Sequence, residues 1–207
     1  MAKSKEEVVH EFRVQSIQDA TMRVIARKGM AAATMQEIAT EAGVAKGTIY
    51  LYFRDRDELV EKTFERAMTQ LMAQIDEALE RDIPFAEKLR AVISAQIGFF
   101  SANREFVRLY LSLRMPEGTA DRQRRHKGHC QPQYRERVEK LAAVLRQAIE
   151  RGEIRTTDPY RLALFIIEGS TAIVLERLNE QPSPAEEADV ELIVGIVLNG
   201  VRNTESQ

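Results

Sequence analysis

Chemistry-bearing side chains gather in three places along this chain of 207 residues. In the run Lys46-Gly47-Thr48-Ile49-Tyr50-Leu51-Tyr52-Phe53, a cation, an aliphatic hydroxyl and two phenols surround a glycine. Hydroxyls, amides and backbone N–H groups of this kind hold phosphates, and a threonine can meet a base edge or a thymine methyl. The alternative is that Tyr50 and Tyr52 are half-buried packing residues. Further on, His126, His129 and Cys130 form a His-x-x-His-Cys group of ligands that zinc or copper would accept. No second cluster exists to complete it, and Gly128 and Pro132 beside it suit irregular chain, so no metal is assigned. The third place is Glu168, a carboxylate on an otherwise apolar helix, where an unpaired charge would be costly. It meets a cationic ligand group, pairs internally with an arginine such as Arg90, Arg108 or Arg114, or rides at the helix edge; pairing is the commoner arrangement for a buried charge. No Ser/His/Asp, Cys/His or paired-carboxylate constellation is recognisable, so the chain does not read as an enzyme.

The elements that must position these groups are helical throughout. Ile17, Ala20, Val24 and Ile25 recur at helical spacing between about His10 and Arg27, and Gly29 follows as a stop. Thr34-Met35-Gln36-Glu37 is a capping box opening a short helix to Ala42, which Gly43 ends. A second short helix covers about Lys46 to Phe53. Ile38, Ala39, Val44, Ile49 and Phe53 are spaced to bury the angle between the two, the layout of a helix-turn-helix. Asp55-Arg56-Asp57-Glu58 opens a long helix to Leu79. Helices follow over Phe85–Phe100, Asn103–Leu113 and Tyr134–Arg151, with an irregular polar stretch expected from about Met115 to Pro132. Asp158-Pro159 starts a helix through Leu178 that is apolar almost all round, and Ser183-Pro184-Ala185-Glu186 caps the last. The expected fold class is all-α with about nine helices.

Composition sets few limits. Lys and Arg total 30 against 32 Asp and Glu, a net charge of −2, so any nucleic-acid contact must come from a local patch. Cys130 is the only cysteine, which suits a reducing interior. No leader-like start and no span of roughly 18 apolar residues is present, so a cytoplasmic protein without membrane attachment is expected.

From about Arg13 to Thr63 the sequence resembles the N-terminal domain of the tetracycline-repressor (TetR) family. The resemblance rests on Gly29, Thr34, Ile38-Ala39, Ala42-Gly43-Val44, Lys46-Gly47-Thr48-Ile49-Tyr50, Tyr52-Phe53 and Leu59. It implies a three-helix, helix-turn-helix DNA-binding domain over 10–56 and a larger helical ligand-binding and dimerisation domain over 57–204. It further implies a homodimer on a palindromic double-stranded operator, probed by Thr34, Gln36, Lys46, Gly47, Thr48, Tyr50 and Tyr52. At Arg56 the family often has a lysine that meets phosphate, and arginine keeps that charge. Repression relieved by a small-molecule effector is the family's usual mode, and no cofactor is implied.

In the second half the resemblance gives only a helical body. The last two helices fit a dimer interface, with Leu162, Phe165, Ile166, Gly169 and Ile173 on one side of the apolar helix. The alternative cover is the protomer's own core. Phe99, Phe100, Phe106, Tyr110, Met115 and Tyr134, with Met68 and Met72, would line an apolar cavity around an effector, together with Glu168. Aromatic residues at this spacing also serve as plain core. Arg104, Arg108 and Arg114 would instead suit an anion, and the sequence does not choose between these readings.

Overall fold

The computed structural model describes residues 4–114, 120–177 and 186–201, with side chains described for 4–113, 134–176 and 186–200. Among the described residues it is all-α, with no strand, and it divides into two compact units.

The first unit comprises residues 1–68 and 104–129. Helix α1 (Lys5–Lys28) begins five residues earlier than the apolar stripe predicts. A capping box explains the difference: the Glu7 N–H donates to Ser4 Oγ at 3.2 Å, and the Ser4 N–H donates to Glu7 Oε2 at 2.7 Å. This first turn is exposed, so hydrophobic periodicity carries no sign of it. Helix α2 (Met35–Ala42) starts with the expected box, in which the Glu37 N–H donates to Thr34 Oγ1 at 3.2 Å. It ends at Gly43, whose φ of 67° and ψ of 32° place it in the left-handed region. Helix α3 (Lys46–Ile49) is a single α-turn, which hydrogen-bonded turns extend to Phe53. Helix α4 (Arg56–Glu80) follows, its first turn fixed by the Glu58 N–H donating to Asp55 Oδ1 at 2.9 Å. Helix α6 (Arg104–Arg114) packs on α1 within this unit. The unit's core joins Ile17, Ala20 and Val24 to Ile38, Ala39, Ile49, Phe53 and Leu59, all at most 4% exposed. Beside it Phe64, Phe106 and Tyr110 form an aromatic cluster with centroids 5.7–6.3 Å apart.

The second unit comprises residues 69–103 and 130–207. It holds the later turns of α4, helix α5 (Phe85–Ala102), the later part of α7 (Ala120–Glu150), α8 (Pro159–Arg177) and α9 (Glu186–Val201). Helix α5 packs against both α8 and α9. Gln96 ties α5 to α8, its amide donating to the Ile167 carbonyl at 3.1 Å and to Thr171 Oγ1 at 3.3 Å. Lys140 of α7 donates to both carboxylate oxygens of Asp76 on α4, at 2.7 and 2.9 Å. Helix α8 opens as expected: Asp158 Oδ1 accepts from the Tyr160 and Arg161 N–H groups at 3.0 and 3.1 Å. The expected Ser183 cap of the last helix lies outside the described residues.

One expectation is corrected. The stretch from about Met115 to Pro132 was expected to be irregular, yet the backbone is helical from Ala120 onward. Ala120, Gln123, Lys127 and the arginines between them are strong helix formers. They lack the apolar period that reveals a helix, so a polar helix reads as loop. The side chains of His126, His129 and Cys130 lie outside the described residues, as do those of Arg114 and Met115. Among the described residues no group of three or more metal-ligating side chains occurs, and no helix is long and apolar enough to cross a membrane.

Candidate nucleic-acid interface

The helix-turn-helix separates its residues cleanly into two sets. Ile38, Ala39 and Ile49 are fully buried and Phe53 is 4% exposed, so one side of α2 and α3 is sealed, with α2 packed on α1 and on α3. The other side carries Thr34, Gln36, Lys46 and Gly47, all exposed, with Tyr50 at 48% and Leu51 at 79%. Thr48 and Tyr52 are half-buried. The turn holds this separation. The Gly43 N–H donates to the Thr40 carbonyl at 3.2 Å and the Val44 N–H to the Ala39 carbonyl at 3.0 Å, which closes α2 and redirects the chain. Leu51, more exposed than Tyr50 beside it, has no predicted role; its apolar side chain gave no signal of exposure.

Ion pairs fix α2 against α1. Glu41 accepts from Arg23 Nε and from Arg27, each at 2.8 Å, and Glu37 accepts from Lys28. The Arg23 and Arg27 hydrogen bonds hold the Glu41 carboxyl below its ordinary range. Lys28, with the Thr34 N–H, does the same for Glu37. These basic residues of α1 are thereby occupied in positioning the head.

Two predicted site residues have ties that the sequence does not announce. Tyr52 lies against His10, with ring centroids 5.0 Å apart, so the N-terminal part of α1 braces the phenol. Arg56 donates from its guanidinium to the carbonyl oxygens of Met30 and Ala33, closing the loop between α1 and α2. The phosphate contact that the resemblance implies for Arg56 competes with these bonds. Arg108 likewise donates to the Ala26 carbonyl near the end of α1.

The residues expected to line an effector cavity fall in both units. Met68, Phe106 and Tyr110 lie in the first, where Phe106 and Tyr110 are in ring contact with Phe64. Met72, Phe99, Phe100, Tyr134 and Glu168 lie in the second. There Phe99 and Phe100 meet edge to face at 6.0 Å, and both are buried. Glu168 is not paired with Arg90, which bonds to Glu191, nor with Arg108. Instead it accepts a hydrogen bond from the Tyr134 hydroxyl at 2.7 Å, linking α7 to α8. Arg137, which sequence reasoning passed over, is 1% exposed in this unit.

Comparison with known proteins places this geometry. Residues 17–63 match the family model described as bacterial regulatory proteins, tetR family. An uncharacterized HTH-type transcriptional regulator of Haemophilus influenzae is 41% identical over 76 residues, spanning 37% of this chain and 41% of that protein. The fatty acid metabolism regulator protein of Bacillus subtilis is 28% identical over 162 residues, covering 76% of this chain and 79% of that one. Among solved structures, the fatty acid degradation regulator FadR of Bacillus halodurans superposes with a TM-score of 0.82 at 21% identity, covering 97% of this chain and 98% of that one. FadR of B. subtilis in complex with stearoyl-CoA gives 0.76 at 22% identity, over 91% and 99% of the two chains. The segment that carries the helix-turn-helix, residues 17–63, is the segment that matches the tetR-family model of bacterial regulatory proteins, and the FadR structure from Bacillus halodurans shares the fold along nearly the whole chain.

Proposed function

We propose that this helix-turn-helix regulator is a homodimeric repressor that holds a palindromic operator until a small apolar effector, bound in its second unit, releases it. The observation that carries the DNA-binding part is the division of α2 and α3. Ile38, Ala39, Ile49 and Phe53 are buried, while Gln36, Lys46, Gly47 and Tyr50 stand exposed on the same short elements. Lys46 and Tyr50 supply phosphate contacts and Thr48 a base contact, with Thr34, Gln36 and Tyr52 at the margins. Gly47 leaves open space where any larger side chain would stand, so the backbone can approach the phosphates.

Dimerisation is supported by apolar side chains that the single chain leaves uncovered. Phe165 on α8 is 59% exposed, and Leu192 and Ile196 on α9 are 54% and 53% exposed. A Cβ at Gly169 of α8 would meet nothing within 4 Å, so this chain's own packing does not require the glycine there; a close partner helix would.

For the effector, fatty acyl compounds are the first class to test. The B. subtilis and B. halodurans relatives are named for fatty acid metabolism, and one was solved with stearoyl-CoA. The buried Phe99, Phe100 and Met72 of the second unit suit an aliphatic chain. Helix α4 belongs to both units, so an effector that binds its DNA-incompatible position more tightly would shift the population toward release.

A gel-shift titration against the duplex upstream of the chain's own coding sequence tests the reading. Thr48→Ala and Tyr50→Ala are each expected to weaken binding about tenfold or more, and wild-type affinity is expected to fall steeply with salt. A folded dimer that ignores every duplex at low salt would sink it.

A further inference from the structure

Arg137 is the largest fully buried side chain among the described residues, at 1% exposure. Its Nε and both terminal nitrogens are buried, and among the described residues none of the three has a hydrogen-bond partner. Such a group is expensive to keep. An isolated charge removed from water loses its hydration, and arginine, unlike lysine, has no accessible neutral form to retreat to. Within the protomer the compensation is slight: the guanidinium carbon lies 5.8 Å from the Tyr134 ring centroid, near the limit of a cation–π contact. Glu168, the carboxylate bonded to that tyrosine, accepts a hydrogen bond from the Tyr134 hydroxyl at 2.7 Å. Glu136 and Asp76, the acids on and opposite this part of α7, are engaged by Lys140. Around Arg137 on the same helix, Val138, Leu141 and Leu145 are all at most 2% exposed. The guanidinium is therefore buried with its donors unused among the described residues, on a helix whose neighbouring apolar side chains are buried as well.

We infer that Arg137 is the internal receptor for an anionic head group, a carboxylate or a phosphate, carried on an apolar effector. Its planar fork of N–H donors fits the paired oxygens of either group, and both make charge-assisted bonds that strengthen in dry surroundings. The Tyr134 ring faces the guanidinium at the outer range of a cation–π contact, and Glu168 holds the Tyr134 hydroxyl, so the ring beside the cation is fixed before any ligand arrives. The apolar neighbours take the tail. This deepens the effector reading above and rests on it. It also gives the structural reason for tolerating an unpaired charge: the partner is supplied from outside.

The test compares melting temperatures of the full-length wild type, R137M and R137K, alone and with three probes of one chain length. The probes are decanoate, decanoyl-CoA and decanol. Without ligand, R137M is expected to melt higher than wild type by about 3 °C, because removing an uncompensated buried charge is stabilising. Decanoate or decanoyl-CoA should raise the wild-type Tm and decanol should not; which anion acts identifies a carboxylate or a phosphate source. R137M should lose that response, its affinity falling at least about tenfold, while R137K keeps part of it. The inference is overturned if R137M melts at or below wild type without ligand, if no anionic probe raises the wild-type Tm, or if R137M keeps the wild-type response. Binding of the free proteins to duplex, measured without effector, reports separately on the regulator reading.

Discussion

Replacing Gly43 isolates the turn on which the DNA-facing geometry depends. Its φ of 67° and ψ of 32° are left-handed, yet a Cβ there would meet nothing within 4 Å. The cost of G43A is therefore backbone strain without a steric clash, about 1–2 kcal/mol for a non-glycine residue in this region. For a chain of this size, 1 kcal/mol corresponds to about 2–4 °C in Tm, so G43A should melt about 2–8 °C below wild type. Asparagine visits this conformation through local hydrogen bonds, so G43N should lose less, and the β-branched G43V should lose more. Circular dichroism melts of the three variants give the ranking. At low temperature, where the head remains folded, G43A should keep duplex affinity within about threefold, because the strain lowers stability without removing a contact. A G43A protein that melts at or above wild type, or a G43V protein as stable as G43N, would refute the assignment of the turn.

Two further outcomes follow from the same geometry. A Cβ at Gly169 meets nothing within 4 Å in the protomer, so G169L should fold and yet sediment as a monomer, as should the double variant L192E/I196E; a dimer that persists in both would show that α8 and α9 do not form the interface. The acid response of the head follows from Glu37 and Glu41, whose pKa values are lowered from 4.5 by hydrogen bonds from Lys28 and from Arg23 and Arg27. A depressed carboxyl stabilises the fold above its unfolded pKa, and that contribution fades as pH falls from about 4.5 through the lower folded value. E37Q/E41Q should thus melt below wild type at pH 7, with the gap narrowing as pH falls below about 4.5, and a gap unchanged by pH would contradict the ion-pair account.

Much of the head was legible because its signals are local. Thr34 and Glu37 form a capping box at a spacing of three, and Gly43 supplies the one conformation that other residues resist. The aliphatic positions Ile38, Ala39 and Ile49 bury as their periodicity requires. The polar helix from Ala120 escaped notice for the converse reason, since nothing apolar marks its period.

Tertiary structure decided what depends on neighbours distant in sequence. Glu168 could be recognised as a carboxylate in apolar surroundings, but only the approach of α7 to α8 gave it the Tyr134 hydroxyl as a donor. Arg56 carried its charge in the sequence; folding spent that charge on the carbonyls of Met30 and Ala33. Arg137 shows the limit most clearly. In sequence it is one arginine of many on a charged helix, and arginine is ordinarily a surface residue. Its burial, and the lack of a partner among the described residues for any of its three nitrogens, are properties of the packing around it. A sequence fixes which groups can be charged or apolar, whereas only the assembled core determines which of them water and counter-charges can reach.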